Sequence, residues 1–182
     1  KNCYRFYSRA MDQAVERRVH MEQELRGAWE RGELSLLYQP IFRMSDKRII
    51  GAEALLRWQH PVMGAVAPSV FIAVAEETGL IEQLGPHVIR KACTDAMTWR
   101  ASSSKFADLF VSVNLSVRQL RDAWLPEQVG EILKSTGLPP DGLHLELTET
   151  VVLDDDIDSR GLMRRLRDAG VKLWLDDFGT GF

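Results

Sequence analysis

Gly51-Ala52-Glu53-Ala54-Leu55-Leu56-Arg57-Trp58 alternates in the manner of an extended strand. Ala54, Leu56 and Trp58 would face one way, and Glu53, Leu55 and Arg57 the other. The first set suits a packed interior. The second puts a carboxylate and a guanidinium on one face, and burying either charge unpaired costs several kcal/mol. That face must therefore meet water, a counter-charge, a metal or a ligand. An exposed strand face with an ordinary ion pair satisfies the same pattern, so the surrounding chain has to decide.

Upstream, Leu34 to Phe42 also alternates, with Leu34, Leu36 and Tyr38 on one face and Ser35, Leu37 and Gln39 on the other. A turn at Ser45-Asp46-Lys47 leads through Ile49-Ile50 into the opening stretch, which predicts a hairpin whose pairing loosens at Pro40. Met11 to Arg31 reads as a helix stopped by Gly32, with an apolar stripe of Ala14, Val15, Met21, Leu25, Ala28 and Trp29. Such a helix could pair with a copy of itself, pack on the next domain, or serve as a solvated linker. Tyr4 to Tyr7 reads as the end of a strand.

Downstream, Gln59 to Ala67 reads as a loop and Pro68 to Thr78 as a helix stopped by Gly79. Gly85-Pro86 opens a helix running to about Ser102. The pattern then becomes regular. Leu109–Asn114, Leu143–Leu147 and Val171–Asp176 read as strands; Leu125–Thr136 and Ser159–Ala169 read as helices closed by Gly137 and Gly170. Strands alternating with helices imply parallel βαβ units and an α/β fold.

The 182 residues are 45% apolar and 27% charged, with a net charge of −3. This is the balance of an ordinary globular domain, without the basic excess that duplex DNA or an anionic membrane surface would call for. No apolar run approaches the roughly 20 residues of a membrane span. Lys1-Asn2-Cys3-Tyr4 lacks Met and any signal-peptide pattern, which predicts a cut inside a longer protein. Cys3 and Cys93 have no CxxC partner, so a reducing, cytoplasmic compartment is expected. Cys93 lies in the helical stripe of Val88, Ile89, Ala92, Ala96 and Met97, where a buried structural thiol is expected.

Asn114, Glu146 and Asp176 stand at or near the C-terminal ends of mostly apolar strands, and Glu53 also lies on a strand. In an α/β barrel those ends build the active site. Converging oxygen donors suit a hard cation such as Mg²⁺ or Mn²⁺. Asp176-Asp177 adds a second carboxylate, and adjacent carboxylates favour two metals roughly 3.5–4 Å apart. Each residue also has an ordinary reading: Asn114 in a turn, Asp177 as a helix N-cap, Glu146 and Glu149 as rim charges. Their position on successive strand ends favours a common site.

Six stretches together resemble the EAL-domain family. They are Tyr38-Gln39-Pro40-Ile41, Glu53-Ala54-Leu55-Leu56-Arg57-Trp58, Ala75-Glu76-Glu77-Thr78-Gly79, Val113-Asn114-Leu115-Ser116, Glu146-Leu147-Thr148-Glu149 and Asp176-Asp177-Phe178-Gly179-Thr180-Gly181. That family comprises bacterial cyclic di-GMP phosphodiesterases and their inactive relatives, and the resemblance runs from about Glu33 to Phe182. Residues 1–32 resemble the tail of a GGDEF-type domain and its linker helix, although the GGDEF signature itself lies outside this sequence.

The resemblance implies a TIM-barrel-like fold with an initial β-hairpin. It is incomplete here, with about five strands in a span short of the roughly 250 residues of a closed barrel. Glu53, Asn114, Glu146 and Asp176 would hold one metal, with Asp176 bridging to a second that Asp177 serves directly or through water. Gln39, Leu55 and Arg57 would contact the dinucleotide, and Glu149 would steady the loop after the paired aspartates. Glu53, Asp176 and Asp177 would carry catalysis: hydrolysis of one phosphodiester bond of cyclic di-GMP to linear pGpG, with Mg²⁺ or Mn²⁺ in a two-metal site. An inactive cyclic di-GMP receptor and an unrelated barrel phosphodiesterase are the competing expectations. A homodimer and a GGDEF-type neighbour in the same chain are expected as partners, with no DNA and no membrane segment. The 182 residues alone are expected to be inactive and, with open sheet edges, prone to associate.

Overall fold

The computed structural model describes residues 9–148 and 159–176. The hairpin forms as expected: β1 (Leu34–Phe42) and β2 (Ile49–His60) pair antiparallel with Leu36 opposite Leu56. Lys47, at φ 58°, turns the chain, and Asp46 Oδ1 accepts the Arg48 amide at 3.2 Å. Pro40 stays in register opposite Ala52, and the irregularity falls one step later, between Ile41 and Phe42. β1 pairs only with β2 among the described residues, so the missing proline N–H interrupts no second ladder.

Three expectations need correction. Residues 59–67 are not all loop: β2 runs on to His60 and a short strand, β3 (Gly64–Val66), folds back with Val66 opposite Trp58. The His60 Nδ1 accepts the amides of Val62 and Met63 at 3.2 and 3.0 Å, a side-chain-capped turn with no local periodicity to announce it. The first helix, α1 (Arg9–Leu25), stops before Arg31 because Gly27, at φ 76°, turns the chain left-handed. The third correction concerns Pro86. After α2 (Pro68–Thr78), Gly79 at φ 85° ends one helix and starts the next, so α3 (Leu80–Ser102) begins five residues before Gly85. Its buried stripe of Leu80, Ile81, Leu84, Val88 and Ile89 passes through the proline, and that burial holds the turn that lacks a backbone donor.

β4 (Phe110–Leu115), α4 (Leu125–Thr136), β5 (Leu143–Thr148), α5 (Ser159–Asp168) and β6 (Lys172–Asp176) complete the order. β2, β4, β5 and β6 are parallel neighbours in that order. Each next strand joins the same edge, with helices between, as in the wall of a singly wound barrel. The six strands described, one of them three residues long, compare with roughly eight in a closed barrel. No described helix is long and apolar enough to cross a membrane.

The two faces divide the chemistry. Ala54, Val111, Val113, Leu143, Leu145 and Leu147 point outward into a core closed by α3 and α4. Cys93 lies fully buried there, and burial pushes its thiol up to about 12. A second cluster joins Leu25 and Ala28 to Trp58, Phe71 and Leu84, so the first helix packs on this domain by its C-terminal end. Arg18 pairs with Glu77 of α2, and Glu24 meets His60 at 3.0 Å.

On the inner face, Phe110, His144 and Trp174 form a floor, with the Phe110 and His144 rings stacked at 3.9 Å and Phe110 set against Trp174 at 5.2 Å. Burial and then Lys172 lower His144 to about 4, so this imidazole is neutral at neutral pH. Phe110 lies directly over Gly51, where a Cβ would come within 2.3 Å of the ring. His144 and Trp174 flank that ring and restrict its retreat. Gly51→Ala is therefore expected to cost about 1–3 kcal/mol, read as a lower urea midpoint followed by tryptophan fluorescence.

Candidate functional site

The inner face turns polar above the aromatic floor. Strand alternation puts Gln39 of β1, Glu53 of β2, Asn114 of β4 and Glu146 of β5 on that face, and the register brings them together. Gln39 is opposite Glu53, Glu53 opposite Ser112, and Asn114 opposite Glu146. Asn114 lies one same-face step beyond Glu53's own partner, an offset the glutamate side chain spans. The Asn114 Nδ2 donates to Glu53 Oε1 at 2.8 Å, joining residues 61 apart in the chain. Glu53 is half-buried, Asn114 and Gln39 are exposed, and Glu146 is only 8% exposed.

Asp176 ends β6 with its backbone opposite Thr148. Its side chain, and all of Asp177 and Glu149, lie outside the described residues, so the expected aspartate pair and loop glutamate are not placed here. Among the described residues no group of three or more His, Cys, Asp or Glu side chains is disposed to hold a metal. The donors brought together, Glu53, Asn114 and Glu146, are two carboxyls and an amide. They are oxygen donors without a thiolate or imidazole, a set that fits a hard divalent cation.

Beside this rim a cleft opens. β2 and β4 are paired only from Gly51–Phe110 to Ala54–Val113, and beyond that the strands part. The gap is about 290 Å³ and is lined by Leu55 and Arg57 on one side, Asn114 on the other, and Ile72 and Glu76 of α2 above. Arg57, half-buried, donates from Nη1 to the Leu56 carbonyl at 2.9 Å, which leaves further guanidinium donors at the cleft. Both residues expected to meet a ligand on this strand, Leu55 and Arg57, therefore line one cavity with Asn114.

Glu76 is a residue to which the sequence reading attached no role. It shares the cleft-facing side of α2 with Ile72, four residues earlier, and burial raises its carboxyl above the ordinary carboxylate range. Its signal was present: a carboxylate one helical turn after an apolar residue, inside a stretch already noted. A second group, Tyr38 with Asp95, had no such signal. The Tyr38 hydroxyl donates to Asp95 Oδ2 at 2.6 Å across 57 residues.

The model of the EAL domain matches residues 22–182 of this chain. An uncharacterised signalling protein of Caulobacter vibrioides is 43% identical over 182 residues, all of this chain and 22% of that protein. The cyclic di-GMP phosphodiesterase NbdA of Pseudomonas aeruginosa is 37% identical over 182 residues, all of this chain and 23% of its own. Among solved structures, the PaMucR phosphodiesterase in its c-di-GMP complex superposes with a TM-score of 0.83 at 39% identity, covering 90% of this chain and 65% of that one. The EAL enzyme Bd1971 in its cAMP and cyclic-di-GMP bound form superposes at 0.84 with 29% identity, over 93% of this chain and 46% of that one. The chain thus spans under a quarter of the length of these two curated relatives.

Proposed function

The chain belongs to the EAL-domain family, and from that premise we propose that it forms part of a metal-dependent phosphodiesterase that opens cyclic di-GMP to linear pGpG. The observation that carries this reading is the Asn114–Glu53 hydrogen bond, set beside Glu146 at the mouth of a cleft that also holds Arg57. A cyclic dinucleotide has two anionic phosphates and two flat bases, and this arrangement offers something to each.

The half-buried Arg57 meets a phosphate through charge-assisted hydrogen bonds. The apolar side of the cleft, Leu55 with Ile72, receives a base, and the Glu76 carboxylate accepts from the N–H edge of guanine. Gln39, opposite Glu53 on the edge strand, adds an amide at the rim. Glu53, Asn114 and Glu146, with Asp176 and Asp177, would hold Mg²⁺ or Mn²⁺. Such ions supply charge neutralisation at the phosphoryl oxygens and a lower pKa for attacking water. Asn114 fixes the Glu53 carboxylate by hydrogen bonding, so that little reorganisation remains at the moment of reaction. Overall, one water is added across one P–O bond, leaving a 5′-phosphate on the linear dinucleotide. The relatives named for this activity or solved with this ligand support the same substrate.

The test is product analysis with the full-length protein, cyclic di-GMP and either cation. Accumulation of pGpG, abolished by chelation, is the expected result. Tight binding without turnover would assign the receptor role instead, and neither binding nor turnover would remove cyclic di-GMP from the account.

A further inference from the structure

We infer that Tyr38 is a positioning residue for the dinucleotide site, acting through a hydrogen bond on the opposite face of the strand that carries Gln39. The inference rests on the phosphodiesterase reading above and deepens it. Gln39 sits on β1, which is paired with β2 alone among the described residues. The ladder slips between Ile41 and Phe42, two residues further along the strand. Backbone pairing is therefore weakest just after the side chain whose placement matters. A one-residue slip would carry Gln39 from the inner face to the outer one.

Tyr38 points the other way, toward α3. Its hydroxyl donates to Asp95 Oδ2 at 2.6 Å, and Lys91 holds that carboxylate through both oxygens at 2.6 and 2.8 Å. The Tyr38 ring stands edge-on to Trp99, with centroids 4.6 Å apart. Burial and the Asp95 carboxylate both raise the phenol well above its ordinary value, so the donor is present throughout the working pH range. Helix α3 thus grips β1 one residue before Gln39, which fixes both the register and the facing of the amide opposite Glu53. Tyr38 is not itself a lining residue of the cleft, so its influence on substrate runs through its neighbour.

The test uses steady-state kinetics of the full-length protein with cyclic di-GMP and Mg²⁺. Tyr38→Phe keeps the ring and its contact with Trp99 and deletes only the hydroxyl. It is expected to raise KM roughly three- to tenfold, the equivalent of one ordinary hydrogen bond, with kcat little changed. Asp95→Ala should do the same, and Asp95→Asn, which keeps an acceptor, should restore most of the affinity. In a Gln39→Ala background Tyr38→Phe should have no further effect on KM, because the residue it positions is gone. An unchanged KM in Tyr38→Phe, or the same rise with and without Gln39, would overturn the inference while leaving the phosphodiesterase reading in place. A wild-type protein that neither binds nor cleaves cyclic di-GMP would overturn both. If it binds without turnover, the same variants are read by dissociation constant.

Discussion

Glu53→Ala in the full-length protein is expected to lower turnover of cyclic di-GMP by roughly 10²–10³-fold, the scale of losing one preorganised electrostatic group from a site. The variant removes a carboxylate from the polar rim and strands the Asn114 amide that donates to it at 2.8 Å. Folding should survive, because Glu53 lies on the half-buried inner face while the core is built on the outward side of the same strand. Glu53→Gln separates two roles. It preserves an acceptor for Asn114 and removes the charge, so a ligand for a divalent cation predicts a loss close to that of alanine. A mere scaffold for Asn114 predicts near-normal rates. The kinetics should be accompanied by titration with Mn²⁺, whose affinity falls in both variants if Glu53 is a ligand. Unchanged turnover in Glu53→Ala would remove the assignment of this rim.

The largest effect on stability is expected at the neighbouring Trp58. Its ring is 2% exposed and packs edge-on against Phe71 and His60, with centroids 5.7 and 5.6 Å away. Its indole N–H donates to Glu33 Oε2 at 3.0 Å. Arg31 and that indole together hold the Glu33 carboxyl at about 2, so the acceptor is charged under all ordinary conditions. Trp58→Ala leaves a cavity between α2 and the sheet and removes one hydrogen-bond donor from the Glu33 carboxylate, which keeps Arg31. A loss of about 3–5 kcal/mol is expected, measured by chemical denaturation. Trp58→Phe should lose clearly less, since it refills most of the volume and gives up only the hydrogen bond. If alanine and phenylalanine cost the same, packing at this point contributes little and the account of the second cluster is wrong.

The two predictions concern adjacent surfaces of one strand, and that division was visible in the residues themselves. Alternation from Glu53 to Trp58 separated a face for chemistry from a face for packing, and the structure keeps Ala54 and Trp58 buried while Glu53, Leu55 and Arg57 stay half-exposed. The helix stops at Gly79 and Gly137 were equally legible, since a left-handed φ is a local demand that glycine meets. Legibility failed where a distant partner overrode a local cue. Pro86 looked like a helix start until the buried stripe on either side of it is seen packed against the sheet. Gly32 looked like a stop, yet Gly27 turned the chain first.

The membership itself came from motif residues, and those motifs named Gln39, Leu55, Arg57, Asn114 and Glu146 before any fold was at hand. They included Glu76 without giving it a role, because a carboxylate's surroundings depend on what the helix is packed against.

By itself, then, the sequence determined the kind and order of the elements apart from the short β3, which side of the strand from Glu53 to Trp58 meets the core, and the family. These are properties of spacing along a chain, where a period of two or of 3.6 residues is already a direction in space. Only the tertiary structure decided who stands beside whom. Asn114 meets Glu53 across 61 residues, Tyr38 meets Asp95 across 57, and Phe110 closes over Gly51. Strand register and helix docking are set by the summed packing of whole faces, and no periodicity within one segment records which residue of another will lie opposite.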